Sequence, residues 1–385
     1  MRALCHAQNL LGVGHFVRMH LIAAGLAAAH DVYLTDGGRR VPRRTASAEP
    51  RRLPLSALTR DRSGRVVDGR GRPAAATIRG RAQVLDKAAR AIRPDVVLVD
   101  QYPFSKWDLA PEIEALVTTA RRANPGVRIL CSLRDLVPQT PWETVGPAEY
   151  AEQVLRRLEE LFDGVLMHSD PAFARLEDSF PRAGSVPVPV HYTGYVAEPA
   201  APPPPGAVAP WGIIAGGGTA TTPFLASVVG AFARLSGAGC TGETRLHVFQ
   251  GPAADAGNAE TLRRAAAGAP VHVHPFSTDY AAWLQGAAFS ISHAGYNTTT
   301  ALLRARVPAL VVPNPRVSDQ VLRAARLEAA GLAAVIEGGE SPAPAPLAEA
   351  MGRLLSAPRP CHDLDFDGVA ATRRLVEASR TQPSI

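Results

Sequence analysis

The sequence predicts an α/β protein built from two doubly wound, Rossmann-like domains. Short apolar runs alternate with amphipathic stretches, which is typical of βα units around a parallel sheet. The alternation stops at a proline-rich segment, 197–210, which divides the 385 residues almost in half, and it restarts beyond that segment. The length points the same way, because a single hydrophobic core stops growing near roughly 250–300 residues.

Continuous apolar runs predict the strands and amphipathic stretches predict the helices. The run P-D-V-V-L-V-D at 94–100 is the clearest strand, because β-branched residues without alternation suit a strand buried on both faces. In the first half the predicted strands are 2–5, 31–35, 95–100, 128–132, 164–167 and 190–192, and the predicted helices are 16–28, 78–91, 108–123 and 148–162. In the second half the predicted strands are 211–215, 245–250, 271–274, 289–292 and 309–313, and the predicted helices are 223–235, 259–267, 279–285, 297–305 and 319–330.

These elements predict a domain at 1–196, a stiff linker at 197–210, a second domain at 211–360 and a tail at 361–385. Open α/β sheets bind ligands outside the carboxyl ends of their strands, so we expect the functional site in a cleft between the two domains. Residues 38–77 interrupt the pattern with many arginines, several glycines and prolines, and little hydrophobic period. A loop of this kind is usually functional or disordered, and both interpretations stay open.

The composition excludes some classes of function. The net charge is +6, but the basic residues are almost all arginine and form no aromatic-interleaved stripe, so we expect no nucleic-acid binding. Four scattered cysteines without a C-x-x-C pair favour a reduced, cytoplasmic setting. No signal-peptide region is evident at the N-terminus, and the longest apolar stretch, 21–29, is far shorter than the roughly 20 residues of a membrane span. We expect a soluble protein and leave peripheral membrane contact open.

The first candidate site is the turn G-V-G-H at 12–15, which follows the first strand and opens a helix. Its glycines let a ligand approach the backbone, and the helix N-terminus directs free amides toward that ligand. The turn is not a dinucleotide fingerprint, because Val17 fills the third glycine position. His15 lies on the lip of the turn, where a neutral imidazole could accept a proton from a hydroxyl. A helix-capping or hydrogen-bonded structural role is the alternative.

Two glycine turns in the second half predict anion-binding sites. Successive amides of Gly216, Gly217, Gly218 and Thr219 can form a nest for anionic oxygens, although a plain tight turn is the alternative. No G-K-[ST] follows, which excludes a Walker P-loop.

The turn S-H-A-G-Y-N-T-T-T at 292–300 is more informative. Gly295 allows close approach, Asn297 and Thr298 are expected to cap the following helix, and His293 could donate to a phosphate oxygen. Together they predict a diphosphate pocket, with an ordinary capped helix start as the alternative.

Two further motifs contain acidic residues. Asp319 and Gln320 open a helix, where they could hydrogen-bond the hydroxyls of a sugar, although Asp is also a good helix cap. The motif D-L-D-F-D-G at 363–368 imitates the start of a calcium loop. That loop needs Glu at its twelfth position, where Arg374 stands, so we reject a metal site.

Several of these motifs together resemble inverting GT-B glycosyltransferases, most closely the MurG-like family with a glycosyltransferase family 28 C-terminal domain. Within it, the sequence is most similar to a bacterial branch of predicted glycosyltransferases. The resemblance covers nearly the whole chain. It is carried by H-A-Q-N-L-L-G-V-G-H-F-V-R, C-S-L-R-D-L, M-H-S-D-P and Y-T-G-Y-V before the linker, and by A-G-G-G-T, G-Y-N-T-T and D-Q-V-L-R-A-A-R-L-E-A-A-G-L after it.

The resemblance implies an N-terminal acceptor-binding domain, a C-terminal nucleotide-sugar-binding domain and a final helix, near 368–379, that crosses back to the first domain. It implies His15 as the catalytic base, with Gly14 and Arg134 on the acceptor side, while Asp135 orients His15 or contacts the acceptor. Donor-side roles fall on the diphosphate residues Gly216, Gly217, Gly218, Thr219, His293, Gly295, Asn297 and Thr298, and on the sugar-binding residues Asp319 and Gln320.

One position departs from the family pattern. MurG-like sequences usually carry a ribose-binding Glu six residues after the glycine of this turn, where Ala301 stands. The expected activity is a hexosyltransferase that uses a dTDP- or UDP-linked donor, without metal or other cofactor, and a small-molecule, natural-product or lipid-linked acceptor. The arginine-rich 38–77 segment could hold an anionic acceptor. We expect a monomer or homodimer. A nucleotide-sugar 2-epimerase and a catalytically silent partner protein stay open as alternatives.

Overall fold

The structure is a computed structural model that describes residues 1–10, 12–38, 48–61, 63–139, 145–205, 207, 210–216, 221–252 and 254–378. The chain forms two compact units. The first contains the described residues up to Ala197 together with the segment that starts at Leu364, and the second contains Glu198–Asp363.

The first unit is built around a seven-stranded sheet with the order β3-β2-β1-β6-β7-β8-β9, in which every neighbouring pair is parallel. The strands of this unit are β1 Arg2–His6, β2 Asp31–Asp36, β3 Arg51–Pro54, β4 Leu58–Arg60, β5 Val66–Asp68, β6 Val96–Asp100, β7 Arg128–Leu133, β8 Gly164–Met167 and β9 Val190–Tyr192. Its first four α-helices are α1 Gly14–Ala27, α2 Ala75–Ile92, α3 Ala110–Ala123 and α4 Pro147–Leu161. Short 3-10 helices lie at Trp107–Leu109, Leu176–Asp178 and Ala183–Ser185.

The path of the chain through this sheet creates a topological switch point. The chain runs from β1 outward to β3 and then returns to β6 on the other side of β1. Strand β6 is buried at all five positions, as its unbroken apolar run predicts. Because neighbouring connections leave in opposite directions at β1 and β6, a crevice opens at their carboxyl ends.

The expectation that 38–77 is a loop without regular structure was wrong for 51–68. Strand β3 extends the sheet beside β2, and β4 pairs antiparallel with β5. Leu55 and Leu58 are buried in the core of the unit, and their packing anchors this segment. The sequence shows no hydrophobic period here because these apolar residues stand among arginines. Asp61 supports the turn of the hairpin, since its Oδ1 accepts from the N–H groups of Ser63 and Arg65. Residues 39–47 and 62 lie outside the described part of the chain.

The second unit contains a six-stranded parallel sheet with the order β12-β11-β10-β13-β14-β15. Its strands are β10 Trp211–Ala215, β11 Arg245–Phe249, β12 Val271–His274, β13 Phe289–Ser292, β14 Ala309–Val311 and β15 Ala334–Val335. Its helices are α5 Thr222–Gly237, α6 Ala256–Ala266, α7 Tyr280–Gly286, α8 Tyr296–Ala305, α9 Ser318–Ala329 and α10 Pro344–Leu354. The switch point of this sheet lies between β10 and β13.

Two elements of the second unit have no counterpart among the predicted ones. Strand β15 has only two residues, too few for a detectable pattern. Helix α10 begins within the sequence P-A-P, whose prolines read as a loop, but a proline suits the first turn of a helix. Leu347 and Met351 of α10 are buried in the same cluster as Phe224 and Phe232 of α5, so packing stabilises the helix.

From Leu364 onward the described part of the tail belongs to the first unit, where helix α11 Gly368–Ala378 packs against α1. Gly25 of α1 makes the close approach feasible, because a Cβ atom there would lie 2.2 Å from Cγ1 of Val369. The acidic motif before α11 serves backbone contacts: the N–H of Asp365 donates to Asp170, and its carbonyl accepts from Tyr195. Within the described residues, no helix is both long and apolar enough to span a membrane.

Candidate active site

In the first unit, candidate residues gather at the switch point between β1 and β6. Helix α1 begins at Gly14, eight residues after β1 ends at His6, and places His15 in its first turn. Asp100 is the last residue of β6, the neighbouring strand. The side chain of Asn9 closes the turn, since its Oδ1 accepts from the N–H of Phe16.

His15 is hydrogen-bonded to Asp100, with 2.8 Å between Nδ1 and Oδ2. The Asp100 side chain is 1% exposed and that of His15 is 20% exposed. Because a carboxylate can only accept, Nδ1 of His15 carries the proton and the neutral ring keeps a lone pair on Nε2. A buried carboxylate that fixes the tautomer in this way is the arrangement of a general base.

Two cations share the carboxylate of Asp100. Nη2 of Arg18 lies 2.5 Å from Oδ1, and Nζ of Lys106 lies 3.9 Å from Oδ2 while it donates to the carbonyl of Gln8. Burial raises the pKa of Asp100, but His15, Arg18 and Lys106 together outweigh that effect and hold it well below its usual range.

Burial and two nearby positive charges keep His15 neutral. Burial is the largest cause, and with the positive charges of Arg134 and Lys106 it lowers the pKa of His15 to about 3, although Asp100 acts in the opposite direction. Burial likewise lowers the pKa of Lys106 to about 8, against the attraction of Asp100. His15 is therefore a neutral imidazole, with its proton on Nδ1, at every pH near 7.

Sequence reasoning selected His15 but not Asp100, Arg18 or Lys106. Asp100 ends a buried strand that the sequence displays, but the place of that strand beside β1 appears only in the assembled sheet. The other two predicted residues follow β7: Arg134 is half-buried and acts on the charge of His15, and Asp135 is buried, with its Oδ1 accepting from the N–H of Leu136. The carboxylate that orients His15 is Asp100.

In the second unit, the predicted diphosphate turn lies at the switch point between β10 and β13. Gly295 is the residue before α8, with φ −70° and ψ 142°, a conformation open to any residue. A Cβ atom added to Gly295 would meet no described atom within 4 Å, so the glycine leaves open space beside the first turn of α8. Asn297 and Thr298 lie in that turn. Side-chain capping was expected, but Gly295 occupies the cap position without a side-chain hydrogen bond.

His293 comes directly after β13 and is held on two sides. Its Nδ1 lies 2.6 Å from the carbonyl oxygen of Val312, and its ring packs on that of Phe224 at an angle of 32°, with 4.1 Å between the centroids. Burial lowers the pKa of His293, while the Val312 carbonyl and Glu340 act in the opposite direction.

Gly216 serves packing more directly than ligand binding. Its N–H donates to the carbonyl of Phe249, so that amide is not available to a phosphate, which differs from the predicted role. A Cβ atom at Gly216 would lie 2.3 Å from Oγ1 of Thr221, so only glycine fits between β10 and α5. Gly217, Gly218 and Thr219 lie outside the described residues.

The predicted sugar-binding pair is connected to the diphosphate turn through a residue that sequence reasoning missed. Asp319 lies 3.1 Å from Nη2 of the fully buried Arg323, whose Nη1 donates to the carbonyl of Ala294. Gln320 uses its Oε1 to accept from the N–H of Asn314. In a sequence, Asp and Arg at i and i+4 of a helix indicate an ion pair on the surface. Only the burial of Arg323 in the structure distinguishes this pair from such a surface pair.

The structure thus brings two sets together, each within its own unit. His15 and Asp100 meet at the first switch point, with Arg134 near enough to influence the ring. The turn at 293–298 and Asp319 meet, through Arg323, at the second. Among the described residues, no cluster of three or more histidine, cysteine or acidic side chains is arranged to hold a metal ion.

Comparison with known proteins places this geometry in a class. Residues 213–360 match the family model described as Glycosyltransferase family 28 C-terminal domain. The glycotransferase of kitacinnamycin is similar over 98% of this chain and 95% of its own, with TM-score 0.59 and 19% identity. Spinosyn forosaminyltransferase SpnP gives the same coverage and TM-score at 17% identity. SsfS6 from Streptomyces sp. SF2575 covers 100% and 97%, with TM-score 0.55 and 15% identity. No curated protein sequence matches.

The parallel sheets and these likenesses define the GT-B fold and confirm the predicted α/β class. The family match adds the activity, so the protein is a GT-B glycosyltransferase, as the resemblance implied. Its substrates are accordingly a nucleotide-sugar donor and an acceptor.

Proposed function

We propose that the protein transfers a sugar, with inversion and without a metal ion, from a dTDP- or UDP-linked donor to a small-molecule acceptor of the natural-product type. The single observation that carries this proposal is the pairing of a neutral His15 with the buried Asp100 at the first switch point. The similar structures named for kitacinnamycin and spinosyn support the acceptor class. A lipid-linked acceptor is the second possibility to be tested.

In this proposal His15 is the general base. The acceptor hydroxyl gives its proton to Nε2 of His15 as its oxygen attacks the anomeric carbon. The bond from that carbon to the diphosphate oxygen breaks, and its electron pair leaves with the diphosphate. Asp100 keeps the proton of Nδ1 in place and stabilises the imidazolium that forms.

The leaving diphosphate binds at the turn 293–298. The N-terminal end of α8 directs its backbone N–H groups toward this turn, and their alignment with the helix dipole favours negative charge. The open space at Gly295 admits a phosphate oxygen close to the backbone. These features supply electrostatic stabilisation of the leaving group. Asp319, fixed by Arg323, and Gln320 are proposed to contact the hydroxyls of the sugar.

For the nucleoside of the donor we propose two candidates, deoxythymidine and uridine. Ala301 lies in α8, partly buried against the apolar cluster that contains Trp211, so no carboxylate stands at this position to bridge the two ribose hydroxyls. Without such a carboxylate, nothing at this position favours a ribose over a deoxyribose, which has no 2′-hydroxyl. We therefore propose dTDP- and UDP-sugars as the donors to test.

Product analysis with acceptor panels tests the proposal. Wild-type protein should release nucleoside diphosphate from a dTDP- or UDP-hexose only when an acceptor is present, and the glycoside should have the inverted anomeric configuration. Conversion of the sugar nucleotide without an acceptor would instead establish an epimerase. Nucleotide binding without any conversion would establish a silent binding protein.

A further inference from the structure

His293 is held in one tautomer by its contact with Val312. The carbonyl oxygen can only accept, so at 2.6 Å the Nδ1 atom of His293 must carry a proton. The opposite tautomer would place the lone pair of Nδ1 against the lone pairs of the carbonyl. In the neutral ring the proton is therefore on Nδ1, and Nε2 has only a lone pair.

This tautomer conflicts with the simple expectation that His293 donates to a phosphate. The oxygens of a nucleotide-sugar diphosphate are anionic and can only accept. The lone pair of a neutral Nε2 would face them without a proton between. His293 can donate to an anion and keep its bond to Val312 only as the doubly protonated imidazolium.

We propose that His293 takes up a proton when the nucleotide sugar binds, so that the diphosphate is held by an imidazolium. The inference rests on the proposed function, which places the diphosphate at this turn. No bond is made or broken at His293 during transfer. The imidazolium supplies a full positive charge beside the leaving group, in addition to the partial charges of the α8 amides.

The surroundings of His293 make the proton uptake possible to detect. In the free protein burial lowers the pKa of His293, against Val312 and the carboxylate of Glu340, so the ring is neutral at slightly alkaline pH. Phe224 covers one ring face and adds no formal charge. Arg323, which donates to the carbonyl of Ala294 beside His293, is paired with Asp319, so these two charges largely offset each other. Two phosphate charges at close range shift this balance toward the cation.

Calorimetric titration of the full-length protein with UDP-glucose and dTDP-glucose tests the inference. Each phosphate of a nucleotide sugar keeps only one strongly acidic oxygen, which exchanges no proton near neutral pH, so any proton that the buffer gives up on binding is taken up by the protein. We expect the binding enthalpy at pH 8 to vary with the ionisation enthalpy of the buffer, corresponding to an uptake of roughly 0.5–1 proton per ligand. The affinity should fall by up to about tenfold per pH unit as the pH rises above 7.

Two variants assign the proton. His293→Gln keeps a side-chain N–H donor but cannot titrate, so its binding enthalpy should not depend on the buffer and its affinity should be flat with pH. His272→Gln removes an exposed histidine of the same unit and should keep the wild-type dependence. Should His293→Gln fail to fold, His293→Asn, which likewise cannot titrate, takes its place in the same measurement.

The titrations distinguish failure of the inferred proton uptake from failure of the proposed donor site. Binding of either nucleotide sugar with an enthalpy that is the same in every buffer would overturn the proton uptake and leave the proposed function intact. A buffer dependence that persists in His293→Gln would overturn the assignment to His293. Absence of binding by both nucleotide sugars would overturn the proposed donor site and the inference with it.

Discussion

Both units place their candidate residues at the switch point of a parallel sheet. The side chains and backbone groups at the two switch points differ. At the first switch point Asp100, Arg18 and Lys106 surround His15 with buried full charges. At the second, Gly295 and the start of α8 offer backbone amides and open space. A base needs a fixed tautomer and a fixed charge environment, whereas an anion needs donors and room. The difference supports the proposal that the first unit activates the acceptor and the second unit holds the donor.

The two histidines sharpen the comparison. Both His15 and His293 are held through Nδ1, one by a carboxylate and the other by a carbonyl. Both neutral rings consequently keep a lone pair on Nε2. At the first switch point that lone pair can accept the proton of the acceptor hydroxyl. At the second, we infer, it takes up a proton when the anion binds.

The largest expected effect comes from removing the base. His15→Ala should lower kcat by about 10²–10⁴-fold, because the acceptor hydroxyl would lose its proton acceptor. Steady-state transfer assays at saturating donor measure this, with His191→Ala, a half-buried histidine of the edge strand β9, as the control. A kcat within tenfold of the wild-type value would move the base to another residue.

Asp100→Asn should have the next largest effect and should act on two quantities. We expect kcat to fall by roughly 10–10²-fold, since the amide no longer stabilises a charged His15. The free energy of unfolding should also fall by about 3–5 kcal/mol, because Arg18 would keep a buried charge without its carboxylate. Urea unfolding and transfer assays on one preparation check both. Unchanged stability would contradict the buried ion pair.

Two glycine substitutions separate ligand space from packing. Gly295→Ala should leave stability unchanged and weaken nucleotide-sugar binding about tenfold, the equivalent of ~1.4 kcal/mol, because the new methyl group would enter open space reserved for the phosphate. Gly216→Ala should instead lower stability by roughly 1–3 kcal/mol through the clash with Thr221. Thermal unfolding and calorimetry measure the two quantities. The reverse pattern would exchange the roles assigned to the two glycines.

The pH dependence provides a smaller effect. With a pKa lowered to about 3, His15 is fully in its basic form at pH 5–8, so kcat at saturating donor should stay flat across that range. Lys106→Met removes a positive charge near the ring and should move the acidic limb of the profile toward higher pH. Lys87→Met, which removes the exposed second lysine, should not. An inflection near pH 6.5 in wild-type kcat would contradict the lowered pKa.

Much of the fold could be predicted because buried parallel strands are continuous apolar runs. Strand β6 and its neighbours follow from this signal alone. The hairpin at 58–68 could not be predicted, since Leu55 and Leu58 lie among arginines and become informative only after they pack. Helix α10 was missed because its prolines are read as a break, although the first turn of a helix accepts them.

The candidate site could be predicted in part, for a related reason. His15 and Gly295 stand in local turns that the sequence displays directly. Asp100 contacts His15, which is 85 positions away in the chain, and Arg323 contacts Ala294, which is 29 positions away. These contacts appear only when the sheets are assembled. Long-range pairing, which the local sequence pattern does not encode, decided what was missed.

The central claim is that the first unit holds the base and the second unit binds the donor. Its most direct test is a thermal-shift titration with UDP, dTDP and their glucose conjugates on wild-type, His15→Ala and Gly295→Val proteins. A ligand that binds only the folded state raises the unfolding temperature, by an amount that grows with the logarithm of its concentration relative to Kd. We predict that at least one nucleotide stabilises the wild-type and His15→Ala proteins equally and leaves Gly295→Val unchanged. Loss of the shift in His15→Ala, or its persistence in Gly295→Val, would contradict the assignment of the donor to the second unit.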